Sequence, residues 1–440
     1  MKLRRTLSTL SLVFVMYFNT SGGPHTTETL VAKVGPGLAL LILLLIPLFW
    51  SLPETLIVGE LASMLPEEGG YYRWVERAFG RFWAFQNGWW TWLYSLVDMA
   101  IYPALFLQYL HFFAPALGVR DGRLIQVLVI WVATLLNVRG ALRVGWMSVL
   151  SGGFIIITYV LVAIFSLPHI THVPWLPFAK TGTGTLGGLG VGLSIALWNF
   201  IGWDNASTVQ GEVVDASRTY PRALAFALPL VTINYFIALL PTLGATDWRT
   251  WVDGGWPQIA AAATGRAAPV LSVLVATTGM VSAVALFNAL LMSYSRIPLA
   301  MASDGLLPSF LERTDDRGNP QNAVLVSAIC YSACTIFPFA GLVVADVLLY
   351  SMALFLEFGA LVMLRRREPE LRGAYRIPVN TWGVVGLALL PFAVLLLVVA
   401  LEIHDGEYGA PAVRGALIVA AIGPLLYFIA SRKSRIERAG

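Results

Sequence analysis

Six acidic residues stand inside strongly apolar stretches of this 440-residue sequence. They are Glu28, Glu54, Asp98, Asp204, Glu212 and Glu357. A carboxylate in apolar surroundings is costly unless it is protonated, hydrogen-bonded or paired with a cation. No Lys or Arg lies deep in the same stretches, so the sequence supplies no built-in countercharge. Acids placed in this way indicate a site for a proton or for a cationic ligand.

The surroundings of each acid favour different roles. Asp98 lies near the middle of its apolar stretch and Asp204 lies within an interruption, so both are predicted to contact a substrate or a proton. The alternative for these two is to cap a broken helix or to bond neighbouring hydroxyls. Glu54, Glu212 and Glu357 lie closer to arginine-rich loops, and pairing with those arginines is their alternative role.

Two further groups flank the first interruption. His25 and Glu28 stand on either side of its end, and the imidazole of His25 has an ordinary pKa near neutrality. The candidates for proton or cation coupling are therefore Asp98, Glu28, His25 and Glu54. Asp346, which follows the segment "GLVVA", is predicted to be a helix N-cap.

The elements that must position these groups are two interrupted helices. Residues 20–25 read "TSGGPH" within an apolar run, and residues 201–205 read "IGWDN" within another. In lipid, a broken helix leaves backbone groups without partners, so a break must be covered by protein or face a wet cavity. Two breaks at matching places in two halves of a chain indicate an inverted-repeat transporter with a site at the membrane midplane.

Each break offers a different end of a peptide dipole. Gly22 and Gly23 allow the backbone to bend, and the N–H groups that follow them suit an anion such as a carboxylate. The half-helix that ends near Phe200 presents carbonyl groups, which suit an ammonium. Together the two ends are predicted to hold an α-amino acid zwitterion. The indoles of Trp198 and Trp203 either form a cation-π wall or pack structurally.

The composition is that of a membrane protein, with 57% hydrophobic and 12% charged residues. Windows of about twenty residues predict an all-α membrane protein with twelve transmembrane helices. Their approximate bounds are 7–32, 36–60, 82–112, 122–138, 144–167, 186–214, 221–244, 267–295, 322–340, 345–364, 382–402 and 411–431. The whole of 1–440 is expected to be one membrane domain.

The distribution of basic residues predicts the orientation. With the N-terminus inside, 22 of the 29 Lys and Arg residues fall in segments on the cytoplasmic side, so both termini are predicted to be cytoplasmic. This bias accounts for the basic composition without a nucleic-acid partner. Neither a catalytic nucleophile with its base nor a cluster of metal ligands is apparent, so no enzyme activity, cofactor or metal site is predicted.

Several motifs resemble those of the amino acid-polyamine-organocation transporters, and most closely those of the polyamine uptake group and its prokaryotic relatives. They are "SGGPH" from Ser21, "SLPETLIVGELASMLPEEGGYYRWV" from Ser51, "FQNGWWTWLYSLVDMAIYP" from Phe85, "WNFIGWDNASTVQGEV" from Trp198 and "SRIPLAMASDGLLP" from Ser295. The resemblance implies two inverted five-helix repeats, at about 7–167 and 186–364, with helices 1 and 6 broken and two final helices at 382–431. It also implies alternating access, commonly with proton coupling or exchange.

The resemblance carries the substrate site onto particular residues. Those implied are Ser21, Gly22, Gly23, Trp198, Asn199, Gly202, Trp203 and Asp204. The sequence departs from the polyamine group where Asn87 stands in place of an acid and where "FNALLMSYSR" has no acid near Asn288. These losses weaken a polycation interpretation. A sodium ion would use hydroxyls such as those of Thr277, Thr278 and Ser282, so sodium stays an alternative to the proton.

The sequence therefore predicts a multi-pass secondary transporter of the cytoplasmic membrane. Its expected substrate is an amino acid or a related organic amine, moved with a proton. The alternatives are a polyamine:proton symporter and an amino acid exchanger. The expected partners are this small-molecule substrate, the coupling ion and the lipid bilayer.

Overall fold

The structure is a computed structural model that describes residues 5–180, 185–315, 319–335, 339–405 and 409–439. Within these ranges the chain is helical and has no β-strand, so the predicted all-α class is confirmed. The helices are α1 (Thr9–Thr20), α2 (Thr27–Val34), α3 (Pro36–Ile46), α4 (Leu52–Met64), α5 (Tyr71–Phe79), α6 (Arg81–Leu110), α7 (Val119–Asn137), α8 (Ala141–Ser166), α9 (Thr185–Trp198), α10 (Ala216–Ala245), α11 (Trp256–Ala263), α12 (Ala268–Tyr294), α13 (Arg296–Ser303), α14 (Gln321–Cys334), α15 (Phe339–Arg367), α16 (Thr381–Asp405), α17 (Gly409–Ala420) and α18 (Gly423–Ala439).

Many of these helices present apolar surface to the outside of the molecule. Eight helical stretches in the described ranges are long and apolar enough to cross a membrane. The stretch Thr381–Leu401 has a mean hydropathy of 3.0, yet only 17% of its most apolar window is buried. Leu389 and Leu396 on it are more than half exposed. A helix that is apolar all round and poorly covered by protein is stable in lipid, not in water.

The first helical run is interrupted where the sequence predicted it. α1 ends at Thr20 and α2 begins at Thr27. Gly22 and Gly23 have φ angles of 64° and 117°, which a side chain would disfavour. The break therefore begins at the residues whose backbone can turn away from the helix.

The second interruption follows α9. This helix ends at Trp198, and the chain resumes as a 3-10 segment, Asn205–Glu212. Between them Gly202 has a φ angle of 99°. A β-carbon added to Gly202 would meet the backbone carbonyl oxygen of Asn19, so the two breaks lie directly against each other.

The two breaks are held inside a framework of long helices. α6 packs against α12 and α15, and α1 packs against α8, α10 and α12. α10 also contacts α4, which carries Glu54. This packing brings Asp98 of α6 and Glu54, in the first turn of α4, close to the second break.

Candidate functional site

Three N–H groups at the start of the first break have partners within the chain. The N–H groups of Ser21 and Gly22 both donate to the carbonyl of Tyr17, at 2.9 and 3.0 Å. The N–H of Gly23 donates to Oγ of Ser21 at 3.1 Å. The N–H groups of Ser21, Gly22 and Gly23 are therefore engaged in this conformation.

The carbonyls of the second break also have partners. The carbonyl of Phe200 accepts from Oγ of Ser51 at 3.0 Å and from the indole of Trp203 at 2.8 Å. The carbonyl of Asn199 accepts from the hydroxyl of Tyr235 at 2.9 Å. Trp203 is fully buried, and the bond from its indole to the carbonyl of Phe200 stabilises the turn of the break.

A side-chain clamp joins the two breaks. Nδ2 of Asn199 donates to Oγ1 of Thr26 at 2.9 Å and to the carbonyl of Ile195 at 2.8 Å. Thr26 has a φ angle of 77°, a left-handed conformation that costs a β-branched residue about 1–3 kcal/mol. The bond from Asn199 is thus made to a strained residue at the start of α2.

A small buried cavity lies between the breaks and the long helices. Its lining residues are Asn19, Thr20, Tyr94, Asp98, Tyr102, Trp198, Ile201, Gly202, Asn205, Tyr294, Asp346 and Tyr350. The cavity has a volume of about 10 Å³, which is room for about one water molecule. Of the predicted site residues, Asp98, Trp198 and Gly202 line it. The other predicted substrate-site residues do not line it: Ser21, Gly22, Gly23, Asn199, Trp203 and Asp204.

Asp98 is a carboxylate of the cavity that receives a hydrogen bond on each of its oxygens. It accepts from the hydroxyls of Tyr102 at 2.5 Å and Tyr294 at 2.9 Å, one on each oxygen. The ring of Tyr102 in turn stacks on Trp198, with 6.2 Å between centroids. Two hydroxyl donors satisfy an ionised carboxylate, which remains able to attract a cation from the cavity.

Asp346 is a second carboxylate of the cavity, and its predicted N-cap role is wrong. It lies inside α15, which begins at Phe339, and so cannot cap that helix. It is 2% exposed, and its Oδ1 has no hydrogen-bond partner. A visible signal was its spacing: Asp346, Tyr350 and Glu357 fall on one face of a helix, as do Tyr94, Asp98 and Tyr102.

Glu54 and Asp204 meet at one tyrosine. The hydroxyl of Tyr350 lies 2.5 Å from Oε1 of Glu54 and 2.6 Å from Oδ1 of Asp204. It also accepts the N–H of Gly202 at 2.9 Å, and Oε1 of Glu54 accepts the N–H of Trp203 at 3.1 Å. Asp204 makes no side-chain bond that caps the 3-10 segment, so the capping alternative is wrong, whereas the alternative of a bond to a neighbouring hydroxyl agrees with the contact to Tyr350.

The arginine-pairing alternative holds for one of the three acids to which it applied. Glu212 pairs with Arg296 at 2.6 Å. Glu54 bonds Tyr350 and Trp203, as described above. Glu357 lies beside Asn87 and Asp204, and neither of its carboxylate oxygens has a hydrogen-bond partner. For Glu54 and Glu357 the alternative is wrong because both side chains face the buried breaks, away from the loops.

His25 and Glu28 lie outside the cavity, on the far side of the first break. Nδ1 of His25 is 2.9 Å from the hydroxyl of Tyr109. Oε1 of Glu28 accepts the N–H of Gly254 at 3.0 Å. The indole of Trp256 donates to the carbonyl of Pro24 at 2.8 Å. These contacts close the site on the side of the segment between α10 and α12.

The opposite side is closed by a cluster of charges. Arg296, 3% exposed in its side chain, pairs with Glu212 at 2.6 Å and lies 3.7 Å from Glu68. The carbonyl of Glu212 accepts the N–H groups of Thr6 and Leu7 at 2.8 and 3.0 Å. Burial and the neighbouring Glu212 raise the pKa of Glu68 to about 8, although Arg296 acts in the opposite direction.

Comparisons with known proteins agree with this architecture. The family model described as amino acid permease matches residues 7–421. A probable polyamine transporter of Arabidopsis thaliana is 37% identical over 90% of this chain and 80% of its own length. The polyamine transporter PUT1 of Oryza sativa subsp. japonica is 36% identical over 90% of this chain and 74% of its own. The branched-chain amino acid permease BcaP of Lactococcus lactis subsp. cremoris is 25% identical, covering 73% of this chain and 74% of its own.

These relatives are named as transporters or permeases and not as enzymes. The family match spans nearly the whole chain, including both breaks and the acids around them. The apolar helices agree with a protein that crosses a membrane several times. The chain is therefore a multi-pass membrane transporter that belongs to the amino acid permease family.

Proposed function

We infer that this carrier moves an organic amine through alternating access, and that a polyamine is the substrate class that the site favours. One observation carries the proposal: two carboxylates, Asp98 and Asp346, line a buried cavity together with four tyrosines and Trp198. Among the described residues that line this cavity there is no Lys or Arg. Carboxylates and aromatic faces are the groups that bind an ammonium in a dry site.

The N–H groups of the two glycines in the first break are not free to bind a substrate carboxylate in this conformation. An α-amino acid would need free N–H groups, yet those of Gly22 and Gly23 are bonded within the chain. A polyamine has ammonium groups and no carboxylate, so it requires no such donors. The relatives named as polyamine transporters support the same substrate class.

An α-amino acid is the second candidate. The relative named as a branched-chain amino acid permease favours it, as does the description of the family. In that case the cavity carboxylates bind the amino group, and the bond from Ser21 to Gly23 has to open to receive the carboxylate.

The architecture proposed for transport has twelve spans in two inverted repeats, at about 7–167 and 186–364, followed by two helices. The breaks after α1 and α9 hold equivalent places in these repeats, which supports the arrangement. The bundle that contains both breaks rocks against the remaining helices and exposes the cavity to each side in turn. The bias of basic residues supports cytoplasmic termini and insertion in the cytoplasmic membrane.

The proposed coupling ion is a proton. The buried acids near the cavity have no basic partners, and protons are the cations that carboxylates bind most readily in dry surroundings. Sodium is the alternative, with Ser282 as a ligand candidate, because its Oγ lies 2.5 Å from the carbonyl of Gly22.

Uptake into proteoliposomes tests the proposal. Labelled spermidine, arginine and leucine are each offered under an imposed pH gradient, a sodium gradient or no gradient. We expect spermidine to accumulate with the pH gradient and unlabelled putrescine to compete with it. Accumulation of leucine without competition by either polyamine would instead establish the second candidate.

A further inference from the structure

We propose that Glu54, Tyr350 and Asp204 together hold one shared proton. We further propose, on the basis of the proposed function, that this proton is the one that is bound and released as the amine is transported. The three side chains come from α4, α15 and the second break. They are referred to below as the acid–tyrosine unit.

The number of hydrogens at Tyr350 leads to this assignment. The hydroxyl is 2.5 Å from one carboxyl oxygen and 2.6 Å from the other, so both contacts have the length of strong hydrogen bonds. One hydroxyl hydrogen can serve just one of them. Since the second contact also needs a hydrogen, either Glu54 or Asp204 carries a proton and donates it to the tyrosine oxygen. Two ionised carboxylates would leave one short contact without any hydrogen.

Asp98 provides the contrasting case within the same site. Its two oxygens accept from two separate hydroxyls, those of Tyr102 and Tyr294. Two donors for one carboxylate suit the ionised form. The acids of the site therefore have two roles. Asp98 is ionised and attracts the amine, whereas Glu54 and Asp204 form a pair that shares a proton.

The surroundings of the unit favour a single proton. Glu54 is fully buried and Asp204 is 1% exposed. The titratable groups that face the unit are Glu357 of α15, Tyr71 of α5, Tyr94 of α6 and Tyr220 of α10. None of these is basic, so no neighbouring positive charge offsets the repulsion between an ionised Glu54 and an ionised Asp204 that share one hydroxyl. A proton on one acid removes that repulsion.

The unit also fastens the backbone of the second break. The hydroxyl of Tyr350 accepts the N–H of Gly202, and Glu54 accepts the N–H of Trp203. When the shared proton leaves, Tyr350 can donate to only one carboxylate and the two acids repel. The bonds from Tyr350 and Glu54 to the N–H groups of Gly202 and Trp203 then weaken. Loss of the proton is thereby linked to movement of the second break.

Glu357 is the neighbouring acceptor for a departing proton. It lies beside Asp204, and both of its oxygens lack a hydrogen-bond partner. A proton transferred from Asp204 leaves that residue as a carboxylate and Glu357 as a neutral acid, so the charge of the group is unchanged until the proton reaches water.

Infrared spectroscopy of the reconstituted protein tests the shared proton without any substrate. A protonated carboxyl gives a C=O stretching band that an ionised one does not. We expect the same band component to disappear in Glu54→Gln and in Asp204→Asn, because each variant leaves a single acid to which Tyr350 donates. Tyr350→Phe should shift that component, and Asp98→Asn should leave it in place. Loss of two different components, or of none, would overturn the proposal.

Transport measurements test whether this proton is the coupled one. Glu54→Gln should still exchange amine for amine across the membrane, but it should lose accumulation driven by a pH gradient, whereas the exposed control Glu67→Gln keeps it. Accumulation by Glu54→Gln equal to that of the unchanged protein would contradict the coupling role. If the unchanged protein moves no amine at all, the proposed function fails, and the infrared result decides the shared proton independently.

Discussion

Asp98 and Asp204 are both buried aspartates, but they receive different hydrogen-bond donors. These donors favour the ionised form at Asp98 and a shared proton at Asp204. Asp98 receives two hydroxyl donors, whereas Asp204 shares the single hydroxyl of Tyr350 with Glu54. An acid with two donors is stabilised as an anion, and an acid that shares one donor with another acid is not. The partners of a buried carboxylate therefore decide whether it attracts an amine or holds a proton.

The first prediction concerns the anion. Asp98→Asn keeps the shape of the side chain and removes its charge, so a charge-assisted bond to the amine is lost. Such a bond contributes about 2 kcal/mol, which corresponds to roughly a 30-fold weaker affinity. Binding of labelled spermidine to the purified protein measures the change. Asp247→Asn, at a half-exposed position, is the matched control and should bind as the unchanged protein does. Equal affinities of the two variants would show that Asp98 does not hold the amine.

Part of this site was predictable from the sequence and part was not. Asp98 and Asp204 stood out because an acid within an apolar run is conspicuous. The tyrosines did not, because a tyrosine in a membrane helix is equally suited to a lipid interface or to packing. The partners of Glu54 come from α15 and from the second break, and no pattern local to Glu54 indicates them.

At the scale of elements, both interruptions were predictable because glycine and polar residues break a helix locally. The contact between them was not, since Gly202 meets Asn19 only after the chain has folded. The bond from Asn199 to Thr26 joins the same two elements. Movement of one break must therefore move the other, and this gives a structural reason for the paired breaks to act as one body.

The second prediction concerns that contact. Gly202→Ala places a β-carbon against the carbonyl of Asn19 at a φ angle of 99°, a conformation that L side chains rarely adopt. We expect a lower melting temperature in detergent and lower transport, with a cost of about 1–2 kcal/mol from the backbone alone. Gly153→Ala on α8, where an added β-carbon meets nothing within 4 Å, should leave both unchanged. Normal stability of Gly202→Ala would mean that the two breaks can separate freely.

At the scale of the whole molecule, the cavity is closed on both sides. The segment between α10 and α12 covers one side through Trp256 and Gly254, and Arg296 with Glu212 closes the other. Alternating access requires each closure to open while the other holds. The closure around Arg296 contains two acids and one base, so its strength must depend on pH.

The third prediction follows from Glu68. Its pKa is about 8 in the closed state and falls towards the ordinary value near 4.3 once the side chain is exposed. Between about pH 4.3 and about pH 8, the closed state therefore binds more protons than the open state. Closure is therefore favoured at low pH and weakens as pH rises through about 8. Cys330 and Cys334 are first replaced by serine. The labelling rate of Leu7→Cys, a position that is buried when closed, is divided at each pH by the rate for the same variant unfolded in detergent, which removes the intrinsic pH dependence of the thiol. This ratio should increase from about pH 6 to about pH 9. Glu68→Gln should flatten this dependence, and Glu67→Gln, exposed on the same loop, should preserve it. A slope that persists in Glu68→Gln would place the titrating group elsewhere, because a glutamine at 68 has nearly the same size and can still accept the N–H of Gly211 but cannot ionise.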